Sequence, residues 1–479
     1  MAKNTNKKKN DNKRHTFFDA AVKNASLKKV KIVQGKFEMS SFAGLALIVN
    51  ILASATCLLK LDSLLPPPNG HPKNWIPYSS IAKLMIAMLC LRCRHFEDAR
   101  KFHQETLMRH LVGMTVSPET LRQKMDFLAT IPEAVRIIEE AAIQLMAKTT
   151  FQQVDFGDRK LVPLDIDPTP LDNSGSSKEK TGPVYDGSWG YCPMIATLGT
   201  MPLFSELRPG QQHSFKDTPD FVERCLLGTD ALCLPRNGVL VRGDAGVDGA
   251  GLMERIARLG AFFLIKRNKR SNKDLEGAAL LAEARKQGVQ PELDGHMRGR
   301  RYYRFEISDC PDGLEGLGIH CIVEVRTEQF MPDGKPYLAE ELSAEAAVWW
   351  TNLPDPDPKT VVMLYHDHAT MEQHHGEVKS DLGVERLPSG KFATNSLYLQ
   401  LAYIAFTVLR LIGDKAVMCD PSISHRKSRP APKRLRIGTI LNRYVFVPCR
   451  LAWHSRQFQI AIDCNYAHFE AFKEIYAQC

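Results

Sequence analysis

The segment YHDHATMEQHHGEVKSDLGVERLPSGKF, residues 365–392, combines acidic, basic and hydrogen-bonding side chains at regular spacings. Four of its residues have offsets of 3, 4 and 7, which place them on one face if the segment is helical. They are Tyr365, His368, Glu372 and Lys379. A carboxylate flanked by cationic and hydrogen-bonding groups suits a metal and phosphate site. A solvated helix with surface charge pairs has the same pattern, so both interpretations stay open for this segment alone.

Three further acids lie in apolar, strand-like runs. Asp165 and Asp167 interrupt KLVPLDIDPTPLDNS and point to the same side of a strand. Asp244 ends NGVLVRGD, where ligand chemistry collects in open α/β sheets. Carboxylates in apolar strands are costly unless a positive charge neutralises them. The alternatives are an Asp turn at the end of the first strand and a helix N-cap at Asp244.

Two strand-borne aspartates and one helix-borne glutamate have the donor set that two-metal phosphoryl transfer requires. Hard oxygen ligands hold two Mg²⁺ or Mn²⁺ ions ~3.5–4 Å apart in such sites. The four histidines of residues 366–375 include no H-E-x-x-H pattern, which disfavours zinc. The sequence therefore predicts two Mg²⁺ or Mn²⁺ ions, with Asp165, Asp167, Asp244 and Glu372 as candidate ligands.

The elements that position these acids change character along the chain. The stretch TVSPETLRQKMDFL predicts a helix with Ser117 as N-cap and Pro118 in its first turn. Arg122 and Lys124 of this helix are candidate DNA contacts, because a short helix and a loop through Gly113 precede it as in a helix-turn-helix. A helical hairpin without a DNA function has the same outline.

The strand and helix patterns predict an α/β fold: a mixed sheet flanked by helices, with a β-rich insertion and an all-α N-terminal domain. The predicted regions are a basic disordered tail (1–36), a helical DNA-binding domain (37–150), the first part of the catalytic domain (151–267), the insertion (268–345), the last part of the catalytic domain (346–415) and a basic C-terminal helical region (416–479).

Charge and cysteine content indicate the compartment and the class of partner. Of the net charge of +9, residues 1–36 contribute eleven Lys and Arg against two acids, and a second basic run spans 425–436. Such segments suit a polyanion, although solubilising tails look alike. The twelve cysteines lack the spacing of a disulfide scaffold, which favours a reducing compartment. The apolar run 44–59 is too short to span a bilayer. We therefore expect a cytoplasmic protein without a membrane partner.

At these residues the sequence resembles the DDE transposases of bacterial insertion sequences, in the branch with a Tyr-x₂-Arg-x₃-Glu-x₆-Lys signature. Tyr365, Glu372 and Lys379 fall in that register, and LDIDPTPLDNS with GSWGYCPMIATLG extends the similarity, which covers roughly residues 96–450. The signature's Arg is His368 here. Either another cation supplies its phosphate contact or this copy is weakened.

The resemblance implies an RNase H-like catalytic domain with Asp167, Asp244 and Glu372 as the catalytic acids. We prefer Asp167 to Asp165 because a Thr two residues later resembles the family's first-strand motif. The resemblance also implies contacts from Tyr365 and Lys379 to the phosphates at the transposon end. Further candidate DNA contacts are His368, Arg386 and Lys391, and Trp349 or Trp350 could stack on an extruded base.

The resulting hypothesis is a nucleoid-associated transposase that binds the inverted repeats of its element as double-stranded DNA. It would cleave the ends by metal-dependent hydrolysis and join the 3′-hydroxyls to target DNA, as a homodimer in the DNA complex. Two alternatives remain from the sequence. One is an RNase H-like nuclease without strand transfer, and the other is an inactive or domesticated copy that only binds DNA.

Overall fold

The computed structural model describes residues 34–35, 37–66, 75–147, 149–269, 277–297, 300–331, 335, 337, 343–367, 370–424 and 434–478, with the side chains of 296–297 and 370–372 excepted. The chain divides into a large unit, residues 40–449 with 462–478, and a small unit that includes residues 450–461. The basic tail predicted for residues 1–36 lies almost entirely outside the described residues, as does 425–433 of the second basic run.

The described strands belong to three sheets. In chain order they are β1 (Glu38–Ser40), β2 (Val154–Phe156), β3 (Arg159–Pro168), β4 (Leu171–Asp172), β5 (Gly182–Pro183), β6 (Trp189–Tyr191), β7 (Met194–Leu198), β8 (Met201–Glu206), β9 (Val239–Gly243), β10 (Phe262–Lys266), β11 (Leu293–Met297), β12 (Arg300–Ile307), β13 (His320–Glu328), β14 (Glu345–Thr351), β15 (Cys449–His454) and β16 (Gln457–Ile462).

The core of the large unit is a mixed sheet with the strand order β11-β12-β13-β14-β10-β9-β3-β7-β8, and β2 pairs with β3 at its side. Strands β3, β7 and β8 form an antiparallel meander, whereas β9 and β10 run parallel to β3. The tight turn between β7 and β8 uses Gly199 at φ 61°, a conformation that glycine adopts without strain. The order β8-β7-β3-β9-β10 is that of an RNase H-like sheet, so the predicted fold class is confirmed.

The predicted β-rich insertion extends this sheet. Strands β11, β12 and β13 are antiparallel to one another and join the central strands through β14, which pairs antiparallel with β10. The insertion also contains the helix Gly277–Lys286, which the sequence analysis did not predict.

The helices surround the sheet and one of them is central. In chain order they are α1 (Leu45–Leu52), α2 (Thr56–Leu59), α3 (Leu61–Leu64), α4 (Tyr78–Cys90), α5 (Thr106–Val112), α6 (Pro118–Leu128), α7 (Pro132–Met146), α8 (Thr218–Ala231), α9 (Ala250–Arg258), α10 (Gly277–Lys286), α11 (Pro358–His366), α12 (Thr370–Gly376), α13 (Phe392–Cys419), α14 (Pro421–Ser424), α15 (Ile437–Ile440) and α16 (Phe469–Gln478), with 3-10 turns such as Phe96–Phe102 between them.

Helix α13 packs on strand β8 and on the N-terminal helices α4, α6 and α7. It is long and apolar enough to cross a membrane, but 83% of its most apolar window is buried inside the protein, as in a core helix. Because α13 contacts both regions, the N-terminal helices and the sheet form one compact unit. Their action as a separate DNA-binding domain stays a prediction.

The helix predicted to follow Ser117 begins at its predicted position. Helix α6 begins at Pro118, and the Ser117 hydroxyl accepts a hydrogen bond from the Thr120 amide at 3.1 Å. Gly113 ends α5 in the left-handed conformation, with φ 92°. The outline of two helices joined through Gly113 is therefore present, although it does not distinguish a helix-turn-helix from a plain hairpin.

Two predicted elements differ in the structure. In the described part of the segment that starts at Tyr365, α11 ends at His366, α12 spans Thr370–Gly376, and a π-helical turn, Glu377–Asp381, follows. A π turn has a longer period than an α-helix, so the uniform helical spacing assumed from Tyr365 to Lys379 does not hold across it.

The C-terminal region, predicted as helical, also contains the hairpin β15–β16, which pairs with β1. Its turn places Ser455 and Arg456 at positive φ, 51° and 66°. The run QFQIAI alternates exposed and half-buried residues, which is the period of a strand and not of a helix.

Candidate functional site

Asp167 and Asp244 lie at the carboxyl ends of neighbouring parallel strands. In the β3–β9 register Ile166 pairs with Gly243, so each aspartate directly follows a paired residue. Asp244 begins a 3-10 turn, and its Oδ1 accepts a hydrogen bond from the Gly246 amide at 2.9 Å. Asp244 therefore caps a helical turn and also lies at the carboxyl end of a strand, so the two alternatives from the sequence describe the same residue. Gly243 permits this geometry, because a Cβ there would lie 2.4 Å from Val247 Cγ2.

Asp165, the other candidate on β3, is part of a buried ion pair. Its side chain is 1% exposed, and Arg242 of β9 donates to both carboxylate oxygens, at 2.5 and 2.8 Å. The remaining Arg242 Nη1 donates to the Leu364 carbonyl at 2.5 Å. This bidentate geometry supplies the positive charge that a carboxylate in an apolar strand needs. It also connects β3 and β9 to the end of α11.

His375 of helix α12 contacts the end of β3. Its Nδ1 lies 2.9 Å from the Thr169 hydroxyl, and its Nε2 lies 3.1 Å from Asp167 Oδ2, without the alignment of a hydrogen bond. The backbone of Glu372 is in the same helix, one turn before His375, whereas its side chain lies outside the described residues. Helix α12 is thus held beside the end of β3. His368 lies outside the described part of the chain.

Two tyrosines lie close enough to the strand-end carboxylates for their charges to act on the phenols. Burial raises the pKa of Tyr365, and the charges of Asp244 and Asp167 raise it further. Burial likewise raises the pKa of Tyr185, with Asp167 and Asp244 among the charges that act in the same direction. Both phenols therefore stay protonated at neutral pH and are hydrogen-bond donors beside the two carboxylates.

The donor set fits a hard divalent cation. Two carboxylates at adjacent strand ends, with Asp167 24% exposed, are oxygen ligands of the kind that Mg²⁺ and Mn²⁺ prefer. Among the residues whose side chains the structure describes, no group of three His, Cys, Asp or Glu forms a metal cluster. The third predicted ligand, Glu372, is outside that set, so the predicted ions stay a prediction.

Tyr365 is oriented by an aromatic contact from the insertion side of the sheet. Its ring packs on Trp349 of β14, with centroids 5.4 Å apart. Trp349 and Trp350 are 1% and 4% exposed, so both are core residues and neither presents a ring for base stacking. The Trp349 side chain instead fixes the tyrosine beside the aspartates.

Lys379 lies in the π turn that follows α12 and is half-buried. Hydrogen bonds from Ser188 hold the pKa of Asp186 below its usual range, and the charge of Lys379 contributes in the same direction. Asp186 belongs to the turn between β5 and β6, and the same turn carries Tyr185, whose hydroxyl donates to the Pro168 carbonyl at 3.2 Å. Lys379 is therefore on the side of the site where this turn meets β3.

The other predicted DNA contacts are surface residues with local partners. Arg386 donates to the Ser174 carbonyl at 2.8 Å, and the Lys391 ammonium lies 2.9 Å from Asp126. Arg122 forms ion pairs with Glu119 and Asp126 on its own helix, and Lys124 lies over the Trp75 ring. The structure brings Asp167, Asp244, Tyr365 and helix α12 together, and these four basic residues are not brought to the aspartates by any described contact.

The motif LDNS has a structural role that sequence analysis missed. Asn173 is buried, its Nδ2 donates to the Glu385 carbonyl at 3.2 Å, and its Oδ1 accepts from the Leu387 amide at 3.2 Å and from Lys178 at 2.7 Å. Lys178 also donates to the Leu387 carbonyl. These bonds hold the loop that carries Arg386 against the end of β4. A buried Asn close to a strand end was the available signal, since such side chains require partners.

A cavity of about 530 Å³ opens beside Asp244. It is lined on one side by Pro168 and Tyr185 and on the other by His213, Ser214 and Gly246. One of the two carboxylates, that of Asp244, is therefore reached from a concave surface, as expected for a substrate site.

Comparison with known proteins gives one family. A sequence model described as "Transposase DDE domain" matches residues 159–408, just over half of the chain. The match includes Asp167, Asp244, Glu372 and Lys379. No curated protein sequence matches. Among solved structures, a cryo-EM structure of a piggyBac transposase synaptic complex with hairpin DNA is similar, with a TM-score of 0.41, 10% identity, and coverage of 84% of this chain and 78% of that chain.

Proposed function

The chain belongs to the family of transposases with a DDE domain, and on that basis we propose that it is a DNA transposase that cleaves the ends of its own element and joins the 3′-hydroxyls to target DNA. The observation that supports the proposal most is the placement of Asp167 and Asp244 at adjacent strand ends, beside the helix that carries Glu372. We further propose that the element is a bacterial insertion sequence of the Tyr-Arg-Glu-Lys branch and that the protein acts at the nucleoid.

Each group at the site has a proposed part. Asp167, Asp244 and Glu372 would hold two Mg²⁺ or Mn²⁺ ions, and ions bound there would supply Lewis acidity for the attacking water or hydroxyl and for the leaving oxygen. Asp165 keeps its partner Arg242 and stays a structural residue. The protonated Tyr365 donates a hydrogen bond to a phosphate oxygen, and Lys379 adds a positive charge beside it.

The other predicted DNA contacts serve binding and not chemistry in this proposal. His368, Arg386, Lys391, Arg122 and Lys124 contact DNA phosphates, in addition to the basic segments at 1–36 and 425–436. Contacts of this kind add affinity without sequence specificity, and they weaken as salt rises. Two transposon ends must be processed together, so the active complex contains two copies of the chain.

The test is a cleavage and joining assay on linear DNA that carries the inverted repeats flanking the coding region. With Mg²⁺ the protein nicks the repeat ends and joins them to a target plasmid. Nicking without joining would indicate a nuclease, and binding without nicking would indicate a copy that only binds DNA. The proposal fails if Asp244→Ala and Glu372→Ala leave end cleavage intact.

A further inference from the structure

Residues 434–438, which we call the C-terminal clamp, hold the helical segment that follows Glu372. Arg434 donates to Glu377 Oε1 at 2.5 Å and to Gln373 Oε1 at 2.9 Å, and the Ile437 amide donates to Glu377 Oε2 at 3.2 Å. One turn later, Asp381 Oδ2 accepts from Arg436 and from the Gly438 amide, both at 3.0 Å. Each carboxylate thus accepts from one arginine and one backbone amide.

The first of these ion pairs is buried. The side chains of Glu377 and Arg434 are 4% and 18% exposed, whereas that of Arg436 is 63% exposed. A buried carboxylate that loses its cation is strongly unfavourable, since the charge is neither hydrated nor paired. The Glu377–Arg434 pair therefore determines where the π turn can lie, and the Arg436–Asp381 pair contributes less.

The clamp lies outside the matched family region, which ends at residue 408. The segment that it holds is inside that region and is in contact with the site, because His375 lies between Gln373 and Glu377 and touches Thr169 and Asp167. The same helical segment is therefore fixed on the strand ends by His375 and on the C-terminal chain by Glu377 and Asp381.

We propose that the C-terminal clamp is a positioning element of the active site. It holds the segment 370–381 so that Glu372 and Lys379 stay in register with Asp167 and Asp244, and Arg434 and Glu377 are positioning residues for the reaction. The functional catalytic unit then includes chain beyond the DDE domain. This inference rests on the proposed function.

The experiment uses the full-length chain with Arg434→Ala, Arg434→Lys, Glu377→Gln and the double variant Arg434→Ala/Glu377→Gln. Arg434→Ala lowers the single-turnover rate of end cleavage by about 10- to 100-fold, the range for residues that orient ligands. DNA affinity stays within about twofold, the Mn²⁺ concentration for half-maximal rate rises, and amides of 370–381 exchange hydrogen faster. The double variant recovers part of the rate, because the buried side chain at position 377 is then an uncharged amide.

The cleavage rate of Arg434→Lys lies between those of the wild type and Arg434→Ala, since lysine keeps the charge but cannot donate to both Glu377 and Gln373 as the guanidinium does. The matched control is Arg236→Ala, which removes an ion pair with Asp230 on α8 and leaves the rate and the exchange of 370–381 unchanged. If Arg434→Ala does not fold, Glu377→Gln carries the test, with faster exchange of 370–381 as the expected result.

The inference is overturned if folded Arg434→Ala or Glu377→Gln keeps both the wild-type rate and the wild-type exchange of 370–381. Equal loss of protection throughout the protein would also overturn it, because that result indicates a general stabilising role. Failure of the wild type to cleave DNA refutes the proposed function instead, and the exchange measurement still decides whether the clamp orders the segment.

Discussion

Asp165 and Asp167 lie two residues apart on β3, on the same side of the strand, and their surroundings are opposite. Asp165 is 1% exposed and has Arg242 on both carboxylate oxygens, whereas Asp167 is 24% exposed and lies near a histidine. The difference follows from where the neighbouring strand ends. In the register of β9, Arg242 pairs with Asp165 and Gly243 with Ile166, and the chain turns away at Asp244.

Position along a strand therefore determines what each aspartate can do. Inside the sheet, Asp165 forms an ion pair with Arg242 of the neighbouring strand, and this pair connects the two strands. At the strand end, Asp167 is partly exposed, and Asp244 follows the end of the neighbouring strand. Substitutions inside the sheet and at the strand ends test whether Asp165 acts as a structural ion-pair residue while Asp167 and Asp244 act in the reaction.

The largest expected effect is at Asp244, at the end of β9. Asp244→Asn lowers the rate of metal-dependent end cleavage by about 1,000-fold or more, because a metal-held oxygen is worth several kcal/mol in the transition state. Thermal unfolding changes little, since Asn can still accept the Gly246 amide. The control is Asp248→Asn, a nearby carboxylate that accepts the Asn268 amide. Equal rate losses in both variants would contradict a specific role for Asp244.

The next effect is inside the sheet. Asp165→Ala or Arg242→Ala leaves one buried charge unpaired and lowers the free energy of unfolding by about 3–5 kcal/mol. The double variant Asp165→Leu/Arg242→Met has a free energy of unfolding closer to that of the wild type, because two apolar side chains of similar volume leave no buried charge unpaired. Urea unfolding measures all three. If the double variant loses as much free energy of unfolding as the two single variants together, the two residues do not stabilise the protein as a pair.

A smaller effect is expected at His375, which connects α12 to the edge. His375→Ala lowers the cleavage rate by about 10- to 100-fold through misplacement of the helix and of Asp167. Thr169→Val removes only the hydroxyl partner of His375 and lowers the cleavage rate less. Cleavage rates at several Mn²⁺ concentrations measure both, and a rate loss that saturating Mn²⁺ does not change at all would argue against misplaced metal ligands.

The smallest effect concerns the surface charges. Lys391→Ala changes the free energy of unfolding by less than about 1 kcal/mol, because the lysine side chain is 59% exposed and Asp126 keeps Arg122 and Thr394 as partners. As a phosphate contact it would weaken DNA binding for all sequences and reduce the slope of log K against log salt by about 1. Fluorescence anisotropy at several salt concentrations measures this slope. An unchanged slope would remove Lys391 from the DNA-binding residues.

Local sequence patterns were sufficient for much of the fold. Apolar runs predicted β3 and β9, and Ser117 with Pro118 predicted the start of α6. The same patterns placed Asp244 at a strand end. The Arg242–Asp165 pair was also within reach, because an arginine inside the apolar run VLVRG needs a buried acid, and an adjacent strand offered one.

The rest depends on contacts between distant residues. Glu377 is buried only because Arg434 reaches it from 57 positions away, and no local pattern marks that pair. Helical spacing assumes one uniform period, so it could not indicate the π turn, Glu377–Asp381, in which Lys379 lies. The sheet position of the insertion likewise follows from the antiparallel pairing of β14 with β10.

The most direct test compares Asp165→Asn with Asp167→Asn in one assay of Mg²⁺-dependent cleavage and joining of the inverted-repeat ends. Circular dichroism and end binding confirm that each variant is folded. We predict that the wild type cleaves and joins, that Asp167→Asn binds the ends without cleaving them, and that Asp165→Asn retains cleavage while its melting temperature falls. Full cleavage by Asp167→Asn, or its loss only in a folded Asp165→Asn protein, would contradict these roles.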